Sequence, residues 1–412
     1  MRITTLFRKL LGVIRLFVDG VVFDVDGLSV QVRPRWKMPR CGECRQLAPG
    51  YDHSEPRRWK HLPWGRNTIW LAYTPRRVNC PRCGVRTEYV PWAPHKSRFT
   101  WDFEELVAYL AQITDKTHVS RLMGISWEAV DAIVERVVAR RLDPGRLDGL
   151  AFIGVDEFSY RKRHRYVTVV VDHARQRVVW AAKGRSAETL KSFFDLLGPE
   201  RVKQIAYVTM DMSGGYIKAV QDAIPDADKK IVFDRFHVQR LASDAVDEVR
   251  RSMMRLVQGT EEARAIKHTR FVLLKKPSSL TKDEKTRLSE VQRSNQRLYR
   301  AYLLKETLAS ALNYRQPKRA EDALHDWLSW ASRSRLPAFV RAARTIRKYF
   351  DGVIGYVRTR LTNGLVEGIN TRLRMIARRA FGFHSAAALI AMLFLTNGGI
   401  QLEPPLPAPT RT

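Results

Sequence analysis

The fold of this chain is decided at residues 151–182, which read AFIGVDEFSYRKRHRYVTVVVDHARQRVVWAA. Three runs in this stretch are rich in β-branched and aromatic side chains, at residues 151–155, 166–171 and 178–182, and charged or turn-forming residues separate them. Such runs are typical of β-strands. Because the connections are short, the three predicted strands should pair antiparallel, each with its neighbour in sequence.

The elements that follow extend this sheet. Ser186 is a predicted N-cap of a helix that ends before Gly198-Pro199, and residues 205–210 form a fourth apolar run. A second helix is predicted from Gly214-Gly215 to Ile224, before a fifth strand at residues 230–233. The resulting order, βββαβαβ, predicts an α/β fold with a mixed, ribonuclease H-like sheet.

Two acids stand at the ends of predicted strands: Asp156 closes the first, and Asp211 closes the fourth. An aspartate at a strand end is often only a helix cap or a turn residue. In a βββαβ order, however, strands one and four lie side by side, so the two carboxylates should meet in space. Carboxylates are ligands of hard divalent cations, and two such ions about 3.5–4 Å apart serve in-line attack on a phosphodiester. Side chains alternate along a strand, so Glu157 is expected on the opposite face, in a structural role.

This chemistry needs a third acid, and Glu367 is the candidate, within the stretch NGLVEGIN at residues 363–370. Helical spacing would place the side chains that suit a metal ion and a scissile phosphate on one face, namely Asn363, Glu367, Asn370 and Arg374. The same predicted helix carries basic residues for contact with DNA: Arg372, Arg374, Arg378 and Arg379.

Length and charge limit the class of protein. A chain of 412 residues, 45% of them hydrophobic, is expected to fold as two or more globular modules. Lys and Arg number 72 against 42 Asp and Glu, and this net charge of +30 indicates a nucleic-acid partner. A basic protein of a ribosome or of a membrane surface is the alternative. No stretch approaches the roughly 20 uncharged apolar residues of a membrane span, and no cleavable signal is convincing, so a cytosolic protein without a membrane partner is expected.

The cysteines form two C-x-x-C pairs, Cys41 with Cys44 and Cys80 with Cys83, and the chain contains no others. In a reducing cytosol such pairs favour a metal over disulfides, and four thiolates complete a tetrahedral shell around Zn²⁺ at about 2.3 Å. The sequence therefore predicts a structural zinc site. The segment between the pairs is long, so either His53 or His61 could compete as a ligand.

A helix-turn-helix rhythm follows the cysteines. Residues 117–122 and 126–138 have helical periodicity, and Met123-Gly124-Ile125 separates them. The second helix would enter the major groove of DNA, with Ser126 and Trp127 at its beginning as contact residues. An ordinary αα-hairpin fits the same residues.

Together these motifs resemble a known family. The stretches IGVDEFS (153–159), VTMDMS (208–213), FDRFHV (233–238), TNGLVEGIN (362–370) and RRAFGF (378–383) are similar to those of bacterial insertion-sequence transposases of the DDE type, in the ISL3 family. The resemblance covers nearly the whole chain, because that family also carries an N-terminal four-cysteine zinc finger and a helix-turn-helix.

The resemblance implies a DNA transposase that cleaves the ends of its element and transfers the 3′ hydroxyls into target DNA. It implies that Asp156, Asp211 and Glu367 are the catalytic acids, with two Mg²⁺ ions, or Mn²⁺ in their place, and a ribonuclease H-like core interrupted by a helical insertion. The expected partners are double-stranded DNA, as terminal inverted repeats and as target, and a second or further copies of the chain in a synaptic complex. The protein is expected in the bacterial cytoplasm, associated with the nucleoid.

The D-x-x-H motif formed by Asp234 and His237 is similar to one near the active site of several DDE transposase groups. The alternative is that Asp234 caps a helix and His237 is a half-buried structural histidine. Trp327 and Trp330 in the insertion either stack on distorted bases or belong to the core of an amphipathic helix.

The expected domain order is as follows: an N-terminal helix and hairpin (1–38), a zinc module (39–98), a helix-turn-helix (99–148), the first part of the core (149–240), a helical insertion (241–355), the second part of the core (356–400) and a disordered tail (401–412). Two other functions compete with transposition. One is a non-enzymatic DNA-binding regulator, and the other is a ribonuclease H-like nuclease or resolvase.

Overall fold

A computed structural model describes residues 3–13, 15–161, 165–361 and 385–405, together with residues 364, 368, 369, 371, 372, 374, 375 and 383. The chain divides into two units. The first comprises Met1–Leu142 with Ile400–Thr412, and the second comprises Asp143–Gly399. The predicted disordered tail lies, beyond residue 405, outside the described residues.

The first unit contains two sheets. Helix α1 (Ile3–Leu10) precedes the strands, which are β1 (Leu16–Asp24), β2 (Gly27–Pro34), β3 (Gly50–His53), β4 (Arg57–Trp64), β5 (Asn67–Tyr73), β6 (Arg76–Cys80) and β7 (Gly84–Thr87). A four-stranded sheet has the order β1-β2-β5-β4, and a three-stranded sheet has the order β3-β6-β7. All pairs are antiparallel except β2 with β5.

The hairpin predicted within residues 1–38 is formed by β1 and β2. Asp24 pairs with Gly27, so the two-residue loop is Val25-Asp26. Within this hairpin turn only Gly27 has a positive φ, 121°. A Cβ atom at Gly27 would lie 2.4 Å from the carbonyl oxygen of Thr68. The glycine is therefore required by the close approach of a neighbouring strand as well as by its own backbone conformation.

Three helices complete the first unit: α2 (Trp101–Ile113), α3 (Lys116–Met123) and α4 (Trp127–Arg141). Gly124 ends α3 in the left-handed conformation, with a φ of 59°. The Ser126 side chain caps α4 by accepting a hydrogen bond from the backbone N–H of Ala129. The helix, glycine turn and second helix lie where the sequence predicts them.

The second unit contains the predicted five-stranded sheet. Its strands are β8 (Phe152–Arg161), β9 (Arg165–Asp172), β10 (Arg177–Lys183), β11 (Tyr207–Met210) and β12 (Ile231–Phe233), in the order β10-β9-β8-β11-β12. β8, β9 and β10 pair antiparallel, whereas β11 is parallel to both β8 and β12. The intervening helices are α5 (Ala187–Leu197), α6 (Pro199–Lys203), α7 (Gly214–Ala223) and α8 (Ala227–Lys230). Strands one and four of this sheet are therefore neighbours, as predicted.

A long helical region follows β12. It consists of α9 (Arg235–Leu256), α10 (Glu261–Ile266), α11 (Arg270–Leu274), a 3₁₀ turn (Pro277–Ser279), α12 (Lys282–Ser294), α13 (Gln296–Ala311), α14 (Pro317–Arg333), α15 (Pro337–Lys348) and α16 (Phe350–Thr359). α9 begins directly after the last strand and runs without a break through residue 240. The final described helix, α17 (Ala386–Asn397), contacts β10.

One hydrophobic core joins the sheet to this helical region. Trp327 belongs to it, with 1% of its surface exposed. Its indole N–H donates a hydrogen bond of 2.7 Å to the carbonyl oxygen of Leu304, and Trp330 packs partly buried against the same core. The core interpretation of Trp327 is thus confirmed, and base stacking by this residue is wrong. Among the helices of the described ranges, none has the length and apolar character needed to cross a bilayer.

Candidate active site

The adjacent strands β8 and β11 bring Asp156 and Asp211 together. Thr209 pairs with Gly154 in the parallel ladder, and each aspartate lies two residues further along the chain. Asp211 directly follows β11 as predicted, but β8 continues to Arg161, so the prediction that Asp156 closes its strand is wrong. Both line one open pocket in the second unit. The remaining lining residues are Glu157, Phe236, His237, Arg240, Thr371 and Arg374.

The acids of this pocket repel one another electrostatically. Burial, followed by the negative charge of Asp211, raises the pKa of Asp156 to about 7. The same two causes raise the pKa of Glu157. A backbone hydrogen bond of 2.7 Å from the N–H of Glu157 to Asp156 Oδ1 opposes the shift of Asp156. Half-buried carboxyl groups whose pKa values are raised by burial and by the charge of Asp211 fit a divalent cation, because its charge would remove the repulsion and its preferred ligands are oxygens.

Glu157 differs from its prediction. Side-chain alternation predicted the face opposite Asp156, yet Glu157 contributes to the wall of the same pocket. β11 ends at Met210, whereas β8 continues to Arg161, so beyond the ladder with β11 no described strand lies along this edge of β8. The edge of β8 at Asp156 and Glu157 is therefore left open to the pocket.

Asp234 and His237 lie at the beginning of α9. Asp234 is fully buried and is the N-cap of the helix, accepting a hydrogen bond of 2.7 Å from the backbone N–H of Phe236. His237 Nε2 lies 2.9 Å from Asp211 Oδ1. This contact with the Asp211 carboxylate raises the pKa of His237. Asp234 thus serves as a helix cap, and His237 contacts one of the pocket acids.

The predicted third acid lies outside the described residues, as do Asn363, Asn370, Arg378 and Arg379. Of the basic residues predicted nearby, Arg372 and Arg374 are described, and both are exposed and helical. Arg374 lines the pocket together with Asp156 and Asp211. The pocket residues that the sequence analysis missed are Phe236, Arg240 and Thr371. Phe236 stands inside the D-x-x-H motif, but nothing in that motif shows its exposure.

The four cysteines form a separate cluster in the first unit. Their sulfur atoms all lie within 4.8 Å of one another. Cys80 ends β6, and a backbone N–H of Cys83 lowers the pKa of the Cys80 thiol, which favours the thiolate that binds a metal. The donor set and spacing fit a tetrahedral Zn²⁺ ion.

Neither histidine competitor joins this cluster in the described residues. His53 lies exposed on β3 outside the group. His61 is buried, and its Nδ1 lies 2.9 Å from the hydroxyl of Thr100.

The turn between α3 and α4 is held by a residue that sequence reasoning did not identify. Lys60 Nζ, on β4, donates hydrogen bonds to the carbonyl oxygens of Met123 (2.9 Å) and Gly124 (2.8 Å). A cation at the end of α3 satisfies carbonyls that the helix leaves unpaired and suits the helix dipole. At the start of α4, Ser126 and Trp127 are exposed.

Comparisons with known proteins match most of the chain. The transposase model of the ISL3 family matches residues 153–393, its helix-turn-helix domain matches residues 88–138, and the zinc finger of transposases IS204, IS1001, IS1096 and IS1165 matches residues 37–83. The transposase for insertion sequence element IS1557 of Mycobacterium tuberculosis is 39% identical over 97% of this chain and 96% of its own length. The transposase for element IS1001 of Bordetella parapertussis is 31% identical over 86% of this chain and 88% of its own length.

Proposed function

This chain belongs to the ISL3 family of insertion-sequence transposases and is therefore a DNA-cleaving and DNA-joining enzyme. We propose that it acts on the terminal inverted repeats of its own element. In this proposal Asp156, Asp211 and Glu367 are the catalytic acids for both cleavage and strand transfer. The observation that carries it is the pocket that Asp156, within β8, and Asp211, directly after β11, share on two neighbouring parallel strands.

The pocket acids would hold two Mg²⁺ ions, or Mn²⁺ in their place. Bound there, such ions activate the attacking oxygen and stabilise the leaving oxygen of a phosphodiester. Asp156 and Asp211 present carboxylate oxygens from two rigid strands, which limits their movement. His237 Nε2 lies 2.9 Å from Asp211 Oδ1, so a protonated His237 attracts that carboxylate and limits its movement. The guanidinium groups of Arg240 and Arg374 line the same pocket and are placed to pair with DNA phosphates.

DNA recognition is assigned to the first unit. The helix-turn-helix and transposase families both support DNA binding, and the finer proposal is that α4 enters the major groove with Ser126 and Trp127 foremost. The four-cysteine cluster holds a structural zinc ion that stabilises the ribbon beside it. We propose that two or more copies of the chain pair the two ends of the element before cleavage. The net charge of +30 predicts affinity that falls steeply with added salt.

The test is a cleavage and joining assay on a duplex that carries the terminal repeat, with end binding followed in parallel by gel shift. Asp156→Asn, Asp211→Asn and Glu367→Gln should each abolish Mg²⁺-dependent cleavage and joining, yet keep end binding. Asp222→Asn and Glu290→Gln change exposed acids elsewhere in the second unit and serve as matched controls.

Three outcomes would contradict parts of the proposal. Cleavage by the three acid variants at the wild-type rate would refute the catalytic assignment. A wild-type protein that binds ends but never cuts them would favour the regulator alternative. Cutting of branched DNA without regard to the terminal repeat would favour the resolvase alternative.

A further inference from the structure

One aromatic side chain stands in the active-site pocket without a place in the core. Phe236 lines the pocket together with Asp156 and Asp211, and 63% of its surface is exposed. It is absent from the hydrophobic core of its unit. Exposing a phenyl ring to water costs free energy, and here the exposure occurs beside the acids.

The backbone of Phe236 is firmly held. Its N–H donates a hydrogen bond of 2.7 Å to Asp234, which is fully buried and caps α9. The next residue, His237, contacts Asp211 at 2.9 Å. Phe236 therefore lies in the first turn of α9, next to a residue that contacts a pocket acid.

The charged groups around the ring suit a nucleic acid. Arg240 follows Phe236 by four residues, so the two side chains project from the same face of α9. Arg240 and Arg374 are exposed and line the pocket with Phe236. An aromatic ring flanked by guanidinium groups is the combination by which proteins hold unpaired bases together with their phosphates.

The buried tryptophan of the helical region cannot perform this task. Trp327 has 1% of its surface exposed, and its N–H is engaged by Leu304. In the part of the second unit that the structure describes, Phe236 is the exposed aromatic residue in the wall of the acid pocket.

We propose that Phe236 stacks on one base taken out of the duplex next to the scissile phosphate. This inference rests on the proposed function and specifies how the element end is presented to the catalytic acids. Removing a base from the stack loosens the backbone at that nucleotide, so that its phosphodiester reaches Asp156 and Asp211. Stacking on the phenyl ring offsets part of the cost of opening the pair. Phe236 is thus a substrate-positioning residue.

The experiment uses the full chain, Mg²⁺ and a terminal-repeat duplex, with single-turnover cleavage rates as the readout. Phe236→Ala should cleave the fully paired duplex about 5- to 150-fold more slowly, the range that corresponds to base–aromatic stacking energies. Phe236→Tyr keeps the ring and should stay close to wild type. Phe271→Ala removes a ring that is 68% exposed on α11 and is the matched control, with an unchanged rate.

A second set of substrates distinguishes stacking from a general defect. Each carries one abasic nucleotide, placed in turn at positions on either side of the cleavage site. When the abasic nucleotide is the one whose base Phe236 would hold, no base remains to be opened or stacked. With that substrate, wild type and Phe236→Ala should cleave at rates within about two-fold of each other.

Equal rates for wild type and Phe236→Ala on the paired duplex would overturn the inference and leave the proposed function intact. A rate ratio that stays the same at every abasic position would also overturn it. Failure of the wild-type protein to cleave any terminal-repeat substrate would overturn the proposed function and this inference with it.

Discussion

Asp156→Asn should stabilise the protein in the absence of divalent cations, although the same change abolishes the proposed activity. The wild-type carboxyl group lies half-buried beside Asp211 with its pKa raised to about 7, so it is fully ionised only above neutral pH. Asparagine has nearly the same shape and can still accept the hydrogen bond from the N–H of Glu157. The substitution therefore removes a buried charge without opening a cavity.

The magnitude follows from the shift of this pKa from 3.8 to about 7. Each unit corresponds to about 1.4 kcal/mol, so full ionisation costs up to about 4 kcal/mol, and partial contact with solvent reduces this to about 2–4 kcal/mol. The folded pKa lies above the unfolded one, so the folded state binds more protons between pH 4 and pH 7. Stability is consequently lost as the pH rises through this window, and the loss is complete above pH 7.

Thermal unfolding followed by circular dichroism measures this effect, with zinc retained and with neither Mg²⁺ nor Mn²⁺ in the buffer. At pH 8, Asp156→Asn should raise the Tm of the second unit by roughly 5–15 °C. Near pH 4 the difference should vanish, and Asp222→Asn should change little at either pH. Added Mg²⁺ should stabilise the wild type and not the variant. A lower Tm for Asp156→Asn at pH 8, or an equal gain at both pH values, would refute the reasoning.

Three further predictions concern the first unit. Lys60→Met should destabilise the helix-turn-helix by about 1–3 kcal/mol, because two carbonyl oxygens lose their charged donor. The backbone amides of α3 and α4 should then exchange hydrogen faster, and unchanged exchange would contradict the prediction. Burial lowers the pKa of His61 to about 4, so neutral His61 contributes about 3 kcal/mol to the free energy of unfolding above pH 6.5, and this is lost as the pH falls towards 4. In urea unfolding, the free energy of unfolding should therefore differ less between pH 7.5 and pH 5 for His61→Gln than for wild type. Cys80→Ser should lower the zinc content of the purified protein and weaken end binding, and purified wild-type protein without zinc would contradict the metal assignment.

Local patterns in the sequence were sufficient for the order of elements and for several helix ends. The β-branched runs predicted all five strands of the second unit, and the order of strands and helices predicted that β8 and β11 are neighbours. Ser186 caps its helix as expected, because a cap bonds to an N–H two or three residues away. The C-x-x-C spacing is likewise a local feature, because it brings the two sulfur atoms of each pair close enough to bind one metal ion.

Other features depend on which elements meet. Gly27 follows the turn between β1 and β2, but its lack of a side chain is also required because the carbonyl oxygen of Thr68, on another strand, lies where a Cβ atom would be. Lys60 reaches carbonyl oxygens 63 and 64 residues further along the chain. No periodicity within one element specifies contacts at this separation.

The acid pocket combines features that local sequence predicts with features that depend on tertiary contacts. From the sequence alone it followed that Asp156 and Asp211 belong to neighbouring strands, because local runs and short connections set the strand order. Only the tertiary structure decided that Glu157 joins them, that Phe236 is exposed beside them and that Trp327 is buried away from them. The physical reason is that hydrophobic periodicity indicates which face of an element is apolar, whereas exposure depends on where the neighbouring strand or helix ends.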